Sequence, residues 1–455
     1  MSFLTNLKSK NLFLIGIKGT IMAPLAVRLS KMGLKVSGCD SGEHFATEEL
    51  LKEGDISWFE GFSNDLIPAD TDLIIYSAAY RDSPLVEWVI EENFTTYSHP
   101  DFIAKISETI PSYAISGTHG KSTAAGALEH LLPAALYIYG SHLQGETSLS
   151  APPEPKLAFI EACEYREHFL RYTLQGALVT TVDWDHPDFY PTQEATLVSF
   201  KKLVENLPMG SPLVCGGDSD ASRLLIEWVK EERSDLELTT YGVGENNDYA
   251  LKMGSDYYTL EPLEGNFKAP FKSVHLSLNV VGSALLAKAI TGENLANLLV
   301  RGATFPGCRG RFEHLFDEGG VTYLDDYAHH PNEIRVSIEA LRATYPNRRL
   351  VIIFHPHTAS RTRAFFNQFV AELRKSDLLL LRPIAASARG DNEEGEELSR
   401  ELAQALGVPL YSAREELISK VGELLHRGDL CVTMGAGNNY QLGAAIARHR
   451  RSFNG

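Results

Sequence analysis

Short apolar runs alternate with amphipathic stretches along most of the chain, and this pattern predicts strands that alternate with helices. The first such unit is a strand at residues 12–15, a turn containing Gly16 and Gly19, a helix that continues to Gly33, and a second strand that ends at Asp40. A strand, a helix and a strand within about 30 residues are typical of a βαβ unit, the usual start of a doubly wound sheet. We therefore expect an α/β fold.

The same alternation continues along the chain and divides it into three parts. Further strands are predicted at residues 73–76, 113–116, 157–161, 177–182, 349–354, 378–381 and 430–434. Further helices are predicted at residues 83–92, 124–132, 361–375, 396–406 and 440–448. Residues 248–274 have a weaker pattern, and we expect them to be irregular. Because alternation of this kind favours parallel sheets, we predict three α/β domains, at residues 1–108, 109–303 and 304–455.

Length and charge narrow the class of protein further. At roughly 150 residues per domain, a chain of 455 residues corresponds to about three domains. The chain has 42 Lys and Arg against 59 Asp and Glu, a formal net charge of −17. Non-specific nucleic-acid binding depends on Lys and Arg that neutralise phosphates, so we expect no nucleic-acid partner. An anionic ligand would therefore need Lys or Arg side chains within its own binding site.

Cysteine usage and the lengths of the apolar runs bear on the compartment. The five cysteines are odd in number, far apart and without a CxxC pair, which predicts reduced thiols. The apolar run at residues 12–17 is too short for a signal peptide, and no stretch approaches the roughly 20 apolar residues of a membrane span. We expect a cytoplasmic protein with no membrane partner.

The strongest chemical signal is the sequence Gly-Thr-His-Gly-Lys-Ser-Thr at residues 117–123, here named the Lys121 turn, between a predicted strand and a predicted helix. Glycines let backbone N–H groups approach phosphate oxygens, Lys121 supplies a positive charge, and the Ser122 hydroxyl can bind Mg²⁺. Two residues separate the glycines, where the general P-loop has four. A tight turn without a ligand is the alternative, and the flanking strand and helix make it the weaker one.

A second glycine turn, residues 16–22, follows the first predicted strand and is here named the Gly16 turn. It lacks the G-x-G-x-x-G spacing of a dinucleotide site, but Asp40 at the end of the next strand could bind a ribose hydroxyl. A nicotinamide cofactor, another phosphate-bearing ligand, and a packing turn without a ligand all remain possible interpretations.

Polar side chains follow two strands of the predicted second domain, where ligands gather in open α/β sheets. Glu161 ends one strand, and Asp185 and His186 come shortly after the next. Mg²⁺ prefers oxygen ligands and substrate phosphates, so Glu161 with Ser122 is a natural pair, whereas His186 is a less usual ligand. For His186 the alternative is a capped turn or a hydrogen-bonded core imidazole.

Three polar segments mark the predicted third domain. Arg309 and Arg311 stand at its start, where they could bind a phosphate or belong to a solvated linker. The sequence Asp-Asp-Tyr-Ala-His-His-Pro at residues 325–331 indicates ligand contacts or a helix-capping turn. Arg361 lies near a predicted helix start, where a cation opposes the helix dipole, and this indicates an anionic partner.

Taken in this order, the motifs resemble those of the Mur ligase family, which forms amide bonds with ATP during peptidoglycan precursor synthesis. The resemblance covers essentially the whole chain, and it is greatest to members that join L-alanine to UDP-N-acetylmuramate. It implies a Rossmann-like UDP-sugar domain, a central ATPase domain of the P-loop type with a mainly parallel sheet, and a Rossmann-like C-terminal domain that binds the amino acid. It also implies ATP, Mg²⁺, UDP-N-acetylmuramate and L-alanine as ligands, and a monomer or homodimer.

The resemblance further implies roles for individual residues. Those that contact ATP would be Gly117, Thr118, His119, Gly120, Lys121, Ser122, Thr123, Asn279, Arg311, Asp326 and His329. Mg²⁺ would be held by Ser122, Glu161 and His186, the UDP-sugar by Gly16, Gly19, Asp40 and Ser77, and the amino acid by Tyr327, His357 and Arg361. Catalytic roles would fall to Lys121, His186 and Arg311.

Four positions depart from the family pattern, and three alternative functions stay open. Lys18 and Ile21 replace glycines, Gly282 replaces the second asparagine of an N-x-x-N element, and Cys163 replaces an acid. One alternative is a recycling ligase that adds a murein tripeptide to the same sugar nucleotide. The others are a nicotinamide-dependent oxidoreductase and a nucleotide-operated regulatory protein without ligation.

Overall fold

A computed structural model describes residues 3–7, 10–145, 149, 151–385, 392–435, 437 and 439–454. The strands are β1 Asn11–Ile15, β2 Lys35–Asp40, β3 Ser57–Glu60, β4 Leu73–Tyr76, β5 Thr96–Ser98, β6 Ser112–Ser116, β7 Leu136–Ile138, β8 Ala158–Glu161, β9 Ala177–Val179, β10 Pro212–Gly216, β11 Glu237–Gly242, β12 Tyr249–Met253, β13 Tyr257–Glu261, β14 Leu263–Lys268, β15 Glu313–Glu318, β16 Val321–Asp326, β17 Leu350–His355, β18 Leu378–Leu381 and β19 Leu430–Gly435.

The helices occupy about half of the remaining described chain. They are α1 Phe3–Asn6, α2 Met22–Lys31, α3 Glu48–Glu53, α4 Pro84–Glu91, α5 His99–Ser107, α6 Lys121–Leu131, α7 Gln193–Glu205, α8 Asp220–Glu232, α9 Val274–Thr291, α10 Leu295–Gly302, α11 Pro331–Thr344, α12 Ala359–Ala364, α13 Phe366–Leu373, α14 Asn392–Leu406, α15 Arg414–Leu424 and α16 Gln441–Asn454. Three 3₁₀ segments, Asn64–Leu66, Ala78–Tyr80 and Tyr165–Arg171, complete the described secondary structure.

The strands form three sheets, and most neighbouring strands are parallel. The first sheet has the order β3-β2-β1-β4-β5 and is parallel throughout. The second has the order β14-β13-β12-β11-β10-β9-β6-β8-β7, with antiparallel pairs only among β12, β13 and β14. The third has the order β15-β16-β19-β17-β18, with β15 antiparallel. The expected fold, three α/β domains with mainly parallel sheets, is therefore confirmed.

Two details of the sequence interpretation are wrong. Residues 248–274 are not irregular, because most of them form the antiparallel strands β12, β13 and β14. The helix predicted at residues 361–375 is two helices, α12 and α13, which meet at Phe365. The backbone of Phe365 leaves the helical region there, and its buried ring packs edge-on against His330 at 4.6 Å between centroids.

The chain folds as two compact units. One contains the first two sheets and comprises residues 1–184, 192–270 and 276–306; the other contains the third sheet and comprises residues 185–191, 271–275 and 307–455. A continuous apolar core joins the two sheets of the first unit, including Leu14 and Ile75 of one sheet and Ala114 and Ile160 of the other. The boundaries after residues 108 and 303 remain predictions.

Helix α9 is the described helix that is long and apolar enough to cross a membrane by length and composition alone. The sequence interpretation expected no such stretch. About half of the helix, 56%, is buried inside the fold. Its Ser283 hydroxyl donates a hydrogen bond of 2.8 Å to the carbonyl of Ala124 in α6, so α9 packs as a core helix of the first unit.

Candidate active site

The Lys121 turn connects the end of β6 to the start of α6, as the sequence predicted. Gly117 and Gly120 adopt φ angles of +129° and +83°, which L side chains rarely adopt. A Cβ on Gly117 would lie 2.1 Å from Thr180 Oγ1, and one on Gly120 would lie 2.5 Å from Asn279 Oδ1. Gly120 is also the N-cap of α6 and has no side chain to cap the N–H groups of the first helical turn. Such a helix start is suited to bind phosphate oxygens.

The Lys121 side chain folds back over its own turn. Its Nζ donates to the carbonyls of Gly117 at 2.6 Å and Thr118 at 3.1 Å, and it forms an ion pair of 2.9 Å with Glu164 Oε2. Burial alone would lower the pKa of Lys121, but the charges of neighbouring groups, Glu164 above all, outweigh burial and raise it. The ammonium therefore stays charged across the physiological pH range, as phosphate binding requires.

Glu161 lies beside Ser122, the residue with which the sequence predicts it to hold Mg²⁺. It ends β8, and its two carboxylate oxygens accept hydrogen bonds of 3.1 and 3.0 Å from the Ser122 hydroxyl. The backbone N–H of Gly140 also donates to Glu161 Oε2, at 2.9 Å. A hydroxyl beside a carboxylate at the start of α6 fits Mg²⁺, which takes few protein ligands and completes its shell with water and substrate phosphates. Among the described residues, no group of three or more His, Cys, Asp and Glu could hold a metal by itself.

Thr118 and Thr180 fix the rest of the Lys121 turn. The Thr118 hydroxyl donates to the carbonyl of Asp183 at 3.1 Å and accepts from its N–H at 2.9 Å, and the Thr180 hydroxyl donates to the carbonyl of His119 at 2.5 Å. His119 Nε2 lies 3.7 Å from Asp183 Oδ2, and Thr123 is buried in the first turn of α6. These bonds hold the turn against the chain that follows β9.

The two positions of the N-x-x-N element occupy different surroundings. Asn279 lies directly beside Gly120, and thus next to the Lys121 turn. Gly282, one turn further along α9, packs against the Tyr241 ring, and a Cβ there would lie 2.5 Å from the Tyr241 hydroxyl. The structure therefore explains why the second asparagine is absent: Tyr241 fills the space of a side chain.

The Gly16 turn is closed by the end of β4 and by Tyr80. Gly16 has a φ of +80°, and a Cβ there would lie 2.6 Å from the Tyr80 ring and 2.9 Å from Ser77 Cβ. The N–H of Gly19 donates to the carbonyl of Gly16 at 3.1 Å. The buried carboxylate of Asp40 accepts from the N–H of Lys18 at 2.7 Å and from the Tyr80 hydroxyl at 3.0 Å. Asp40 thus organises the turn, and its role toward a UDP-sugar remains a prediction.

Lys18, one of the departures from the family pattern, has a structural role. Its side chain is only 1% exposed, and its Nζ donates to the carbonyl of Glu43 at 2.5 Å and pairs with Glu48 Oε1 at 3.1 Å. Its carbonyl accepts a hydrogen bond from the Thr47 hydroxyl. The lysine therefore ties the loop that follows β2 to the Gly16 turn.

In the second unit, the segment after β16 gathers aromatic and charged groups. The Arg311 guanidinium lies over the Tyr327 ring at 4.9 Å from its centroid. His329 Nδ1 lies 2.7 Å from the carbonyl of Tyr327, and this places the proton on that nitrogen. Burial lowers the pKa of His329 to about 4, so its ring is neutral at pH 7. His330 caps α11, which begins at Pro331.

Arg361 is buried, and its anionic partner is a carboxylate of this chain. Its Nε and Nη2 bind the two oxygens of Asp185 at 2.8 and 3.0 Å, and its Nη1 donates to His357 Nδ1 at 3.2 Å. Burial alone would raise the pKa of Asp185, but Arg361 and His186 outweigh it and hold the pKa well below its usual value. His186 Nε2 lies 3.7 Å from Asp185 Oδ2, and His186 has a left-handed φ of +54°. Strain of this kind is common at functional sites.

These contacts join most of the predicted residues of the second unit into one cluster. The rings of Tyr327 and His329 are 5.0 Å apart, and those of His329 and His357 are 5.4 Å apart. Arg361 and the Asp185–His186 pair extend the series from His357. Sequence reasoning did not find Asp185 as the partner of Arg361, because 176 positions separate the two. It also missed Glu164, although an acid three positions after Glu161 was a usable signal.

The buried carboxylates of Asp325 and Asp326 predict a pH-dependent stability of the second unit. Burial raises the pKa of Asp325 to about 7 and that of Asp326 to about 6. The native state therefore holds protons that the unfolded chain, with a pKa near 3.8, releases. We expect stability to decrease as the pH rises from about 4 to about 7 and then to level off.

The variant Asp325→Asn removes one of these titrations and should reduce the decrease. The measurement is amide exchange of β16 and β19 at pH 5 and pH 8, compared between the variant and the unchanged chain. An equal loss of protection in both proteins would contradict the assignment.

Comparisons with known proteins place the chain in a family. Residues 12–109 match the model of the Mur ligase family catalytic domain, residues 115–300 the Mur ligase middle domain, and residues 310–437 the glutamate ligase domain of Mur ligases. The chain therefore belongs to the Mur ligase family, whose members are ATP-dependent amide-forming ligases.

Individual relatives are similar over nearly the full length. The UDP-N-acetylmuramate–L-alanine ligase of Borreliella burgdorferi is 32% identical, over 95% of this chain and 97% of the relative. The solved UDP-N-acetylmuramate-alanine ligase of Thermotoga maritima matches with a TM-score of 0.77 and 19% identity, over 97% of this chain and 99% of the other. The murein peptide ligase of Psychrobacter arcticus matches with a TM-score of 0.72 and 17% identity, over 98% of both. The two structures share the fold of this chain.

Proposed function

We propose that this chain joins L-alanine to the lactyl carboxylate of UDP-N-acetylmuramate, with ATP as the energy source. The observation that carries this proposal is the Lys121 turn: two obligatory glycines, a charged lysine and a Ser122–Glu161 pair meet at the start of one helix. The similarity to the ligase of Borreliella burgdorferi supports the choice of sugar nucleotide and amino acid. The compartment would be the cytoplasm, and the assembly a monomer or homodimer.

The reaction would proceed in two steps. A carboxylate oxygen of the sugar nucleotide attacks the γ-phosphorus of ATP, the bond to the bridging oxygen breaks, and ADP leaves. The amine of alanine, after losing a proton, attacks the acyl carbon, and inorganic phosphate leaves as the amide forms. Because phosphoryl transfer needs little covalent help from the protein, positioning and charge neutralisation are the main tasks of the site.

Each group in the first unit would have one of these tasks. Lys121 would leave Glu164 to neutralise the β and γ phosphates, and the N–H groups of the turn would orient them. Ser122 and Glu161 would hold Mg²⁺, which would neutralise the charge on the phosphates. The Gly16 turn, with Ser77, would bind the sugar nucleotide, and Asn279 would contact the nucleoside of ATP.

The second unit would supply the groups that meet the amino acid. Tyr327 and His357 would contact alanine, with Arg361 fixed behind His357 by Asp185. Arg311, Asp326 and His329 would reach the nucleotide, and His186 would bind a second Mg²⁺. Because His329 is neutral, it would act as a hydrogen-bonding group rather than as a cation.

Mass spectrometry of the product tests this proposal directly. The purified chain is incubated with UDP-N-acetylmuramate, ATP, Mg²⁺ and a mixture of amino acids and the murein tripeptide. We expect a product heavier by one alanine residue, with ADP formed in equal amount. A product heavier by the tripeptide would show that the chain adds the murein tripeptide and not alanine. ATP hydrolysis without any ligated product would contradict the proposal.

A further inference from the structure

Arg28 is a fully buried arginine that connects the first two sheets of the first unit. It lies on α2, the helix that follows the Gly16 turn, and its side chain is 0% exposed. Its Nη2 bonds to both carboxylate oxygens of Glu129 on α6, at 3.0 and 2.9 Å. Neither residue has a place in the chemistry described so far. The ion pair therefore joins the helix of one ligand turn to the helix of the other.

Tyr139 belongs to the same cluster and lies close to Glu161, the predicted magnesium ligand. Its hydroxyl donates to Glu129 Oε2 at 2.5 Å, and the Arg28 guanidinium lies over its ring at 4.9 Å from the centroid. The next residue, Gly140, donates its N–H to Glu161 Oε2. The helix that carries Glu129 begins at Lys121 and Ser122. Both ends of the Ser122–Glu161 pair are thus connected to the Arg28 cluster within a few residues.

The Gly16 turn also lies close to Gly140. A Cβ on Gly140 would lie 3.6 Å from Ile21 Cγ1, 3.9 Å from the carbonyl oxygen of Thr20 and 3.8 Å from Glu161 Oε2. The C-terminal end of the Gly16 turn and the metal carboxylate therefore both flank Gly140. The separation of the two ligand turns therefore depends on how α2 is held against β7 and, through Arg28 and Glu129, against α6.

An ion pair is not what stability alone would select at this interface. Replacing a buried ion pair with apolar groups of similar size is often neutral or stabilising, because the desolvation of two charges is costly. Within the described structure, Arg28 Nε and Nη1 are buried without a hydrogen-bond partner, which adds to that cost. An apolar contact could slide, whereas the charge-assisted hydrogen bonds from Nη2 to both oxygens of Glu129 fix the distance between the two helices.

We propose that Arg28 is a positioning residue that fixes the Gly16 turn at one distance from the Lys121 turn through Glu129 and Tyr139. This inference rests on the proposed function, in which the first turn binds the nucleotide that carries the attacking carboxylate and the second binds ATP. Held in this register, the carboxylate and the γ-phosphorus meet in line. A displacement of about 1 Å far from the reacting atoms can cost about a hundredfold in rate.

The double variant Arg28→Met/Glu129→Gln separates positioning from stability. It removes both charges together, so no unpaired charge stays buried and the chain is expected to fold. We expect kcat to decrease by about tenfold to a hundredfold, while the affinity for ADP with Mg²⁺, measured by calorimetry, stays unchanged. Arg28→Lys keeps the charge but lacks the planar guanidinium that lies over Tyr139, so it should show a smaller decrease in kcat.

A matched control is the ion pair between Arg171 and Asp101, which also connects the predicted first domain to the predicted second domain. Both of these side chains are nearly half exposed, so Arg171→Met/Asp101→Asn should leave kcat unchanged. A double variant at Arg28 and Glu129 with the kcat of the unchanged chain would overturn the inference. If that variant does not fold, Arg28→Lys decides, and an undiminished kcat there overturns the inference equally. Failure of the proposed function shows differently, because the unchanged chain then forms no ligated product.

Discussion

Replacing Lys121 with alanine is expected to abolish ligation, with a loss of about a thousandfold or more in kcat/KM. The positively charged Nζ of Lys121 lies over the turn, where it donates to two backbone carbonyls. The pKa of Lys121 is raised although the side chain is buried. Without it, the charge that develops on the β and γ phosphates has only Mg²⁺ and backbone N–H groups to neutralise it. The measurement is the rate of ADP release that depends on both the sugar nucleotide and alanine.

The control for this variant is Lys105→Ala in the same unit. Lys105 is a half-exposed residue that pairs with Glu108 on the surface, so its loss should leave the rate within error of the unchanged chain. Amide exchange over α6 should show that Lys121→Ala still folds. Full turnover by a folded Lys121→Ala protein would show that the turn does not seat the triphosphate.

Replacing Arg361 with methionine is expected to destabilise the second unit by roughly 3–5 kcal/mol. Arg361 is the buried partner of Asp185, and its removal leaves a buried carboxylate without its cation. The four tryptophans, Trp58, Trp88, Trp184 and Trp228, belong to the first unit, and Trp184 directly precedes Asp185, so fluorescence would not distinguish unfolding of the second unit from a local change beside Asp185. The measurement is therefore amide exchange of β17 and β19 in the second unit.

Arg363, two positions along the chain, provides the matched control. It pairs with Glu394 on the surface, and exposed pairs contribute about 0–1 kcal/mol, so Arg363→Met should change little. Adding Asp185→Asn to Arg361→Met should recover much of the lost protection, because the unpaired charge is removed. Equal protection in Arg361→Met and Arg363→Met would contradict the buried pairing.

The sequence predicted best where the chemistry is local. The strand, the Lys121 turn and the helix start are contiguous, and the glycine, lysine and serine each have one physical reason to stand where they do. Local patterns also predicted the βαβ start, and a helix-capping turn was one of the two interpretations of residues 325–331, where His330 caps α11. These features depend on residues that are neighbours in the sequence, and not on contacts between distant positions.

Contacts between distant positions could not be predicted in this way. Arg28 and Glu129 are 101 positions apart, and each is an ordinary charged residue in an amphipathic helix until the helices pack. The same holds for Lys18, whose side chain reaches Glu48 across a loop. Strands β12 to β14 were missed because they are partly exposed, so polar residues interrupt the apolar runs that mark the buried parallel strands.

In the proposed reaction, a triphosphate bound to the Lys121 turn activates a carboxylate as an acyl phosphate. The test incubates the chain with ATP, alanine and UDP-N-acetylmuramate whose lactyl carboxylate is labelled with ¹⁸O. The mass of the inorganic phosphate that is released is then measured. One carboxylate oxygen must leave with the phosphate, so we expect one ¹⁸O atom in each phosphate formed. Unlabelled phosphate, released while the amide forms, would contradict it.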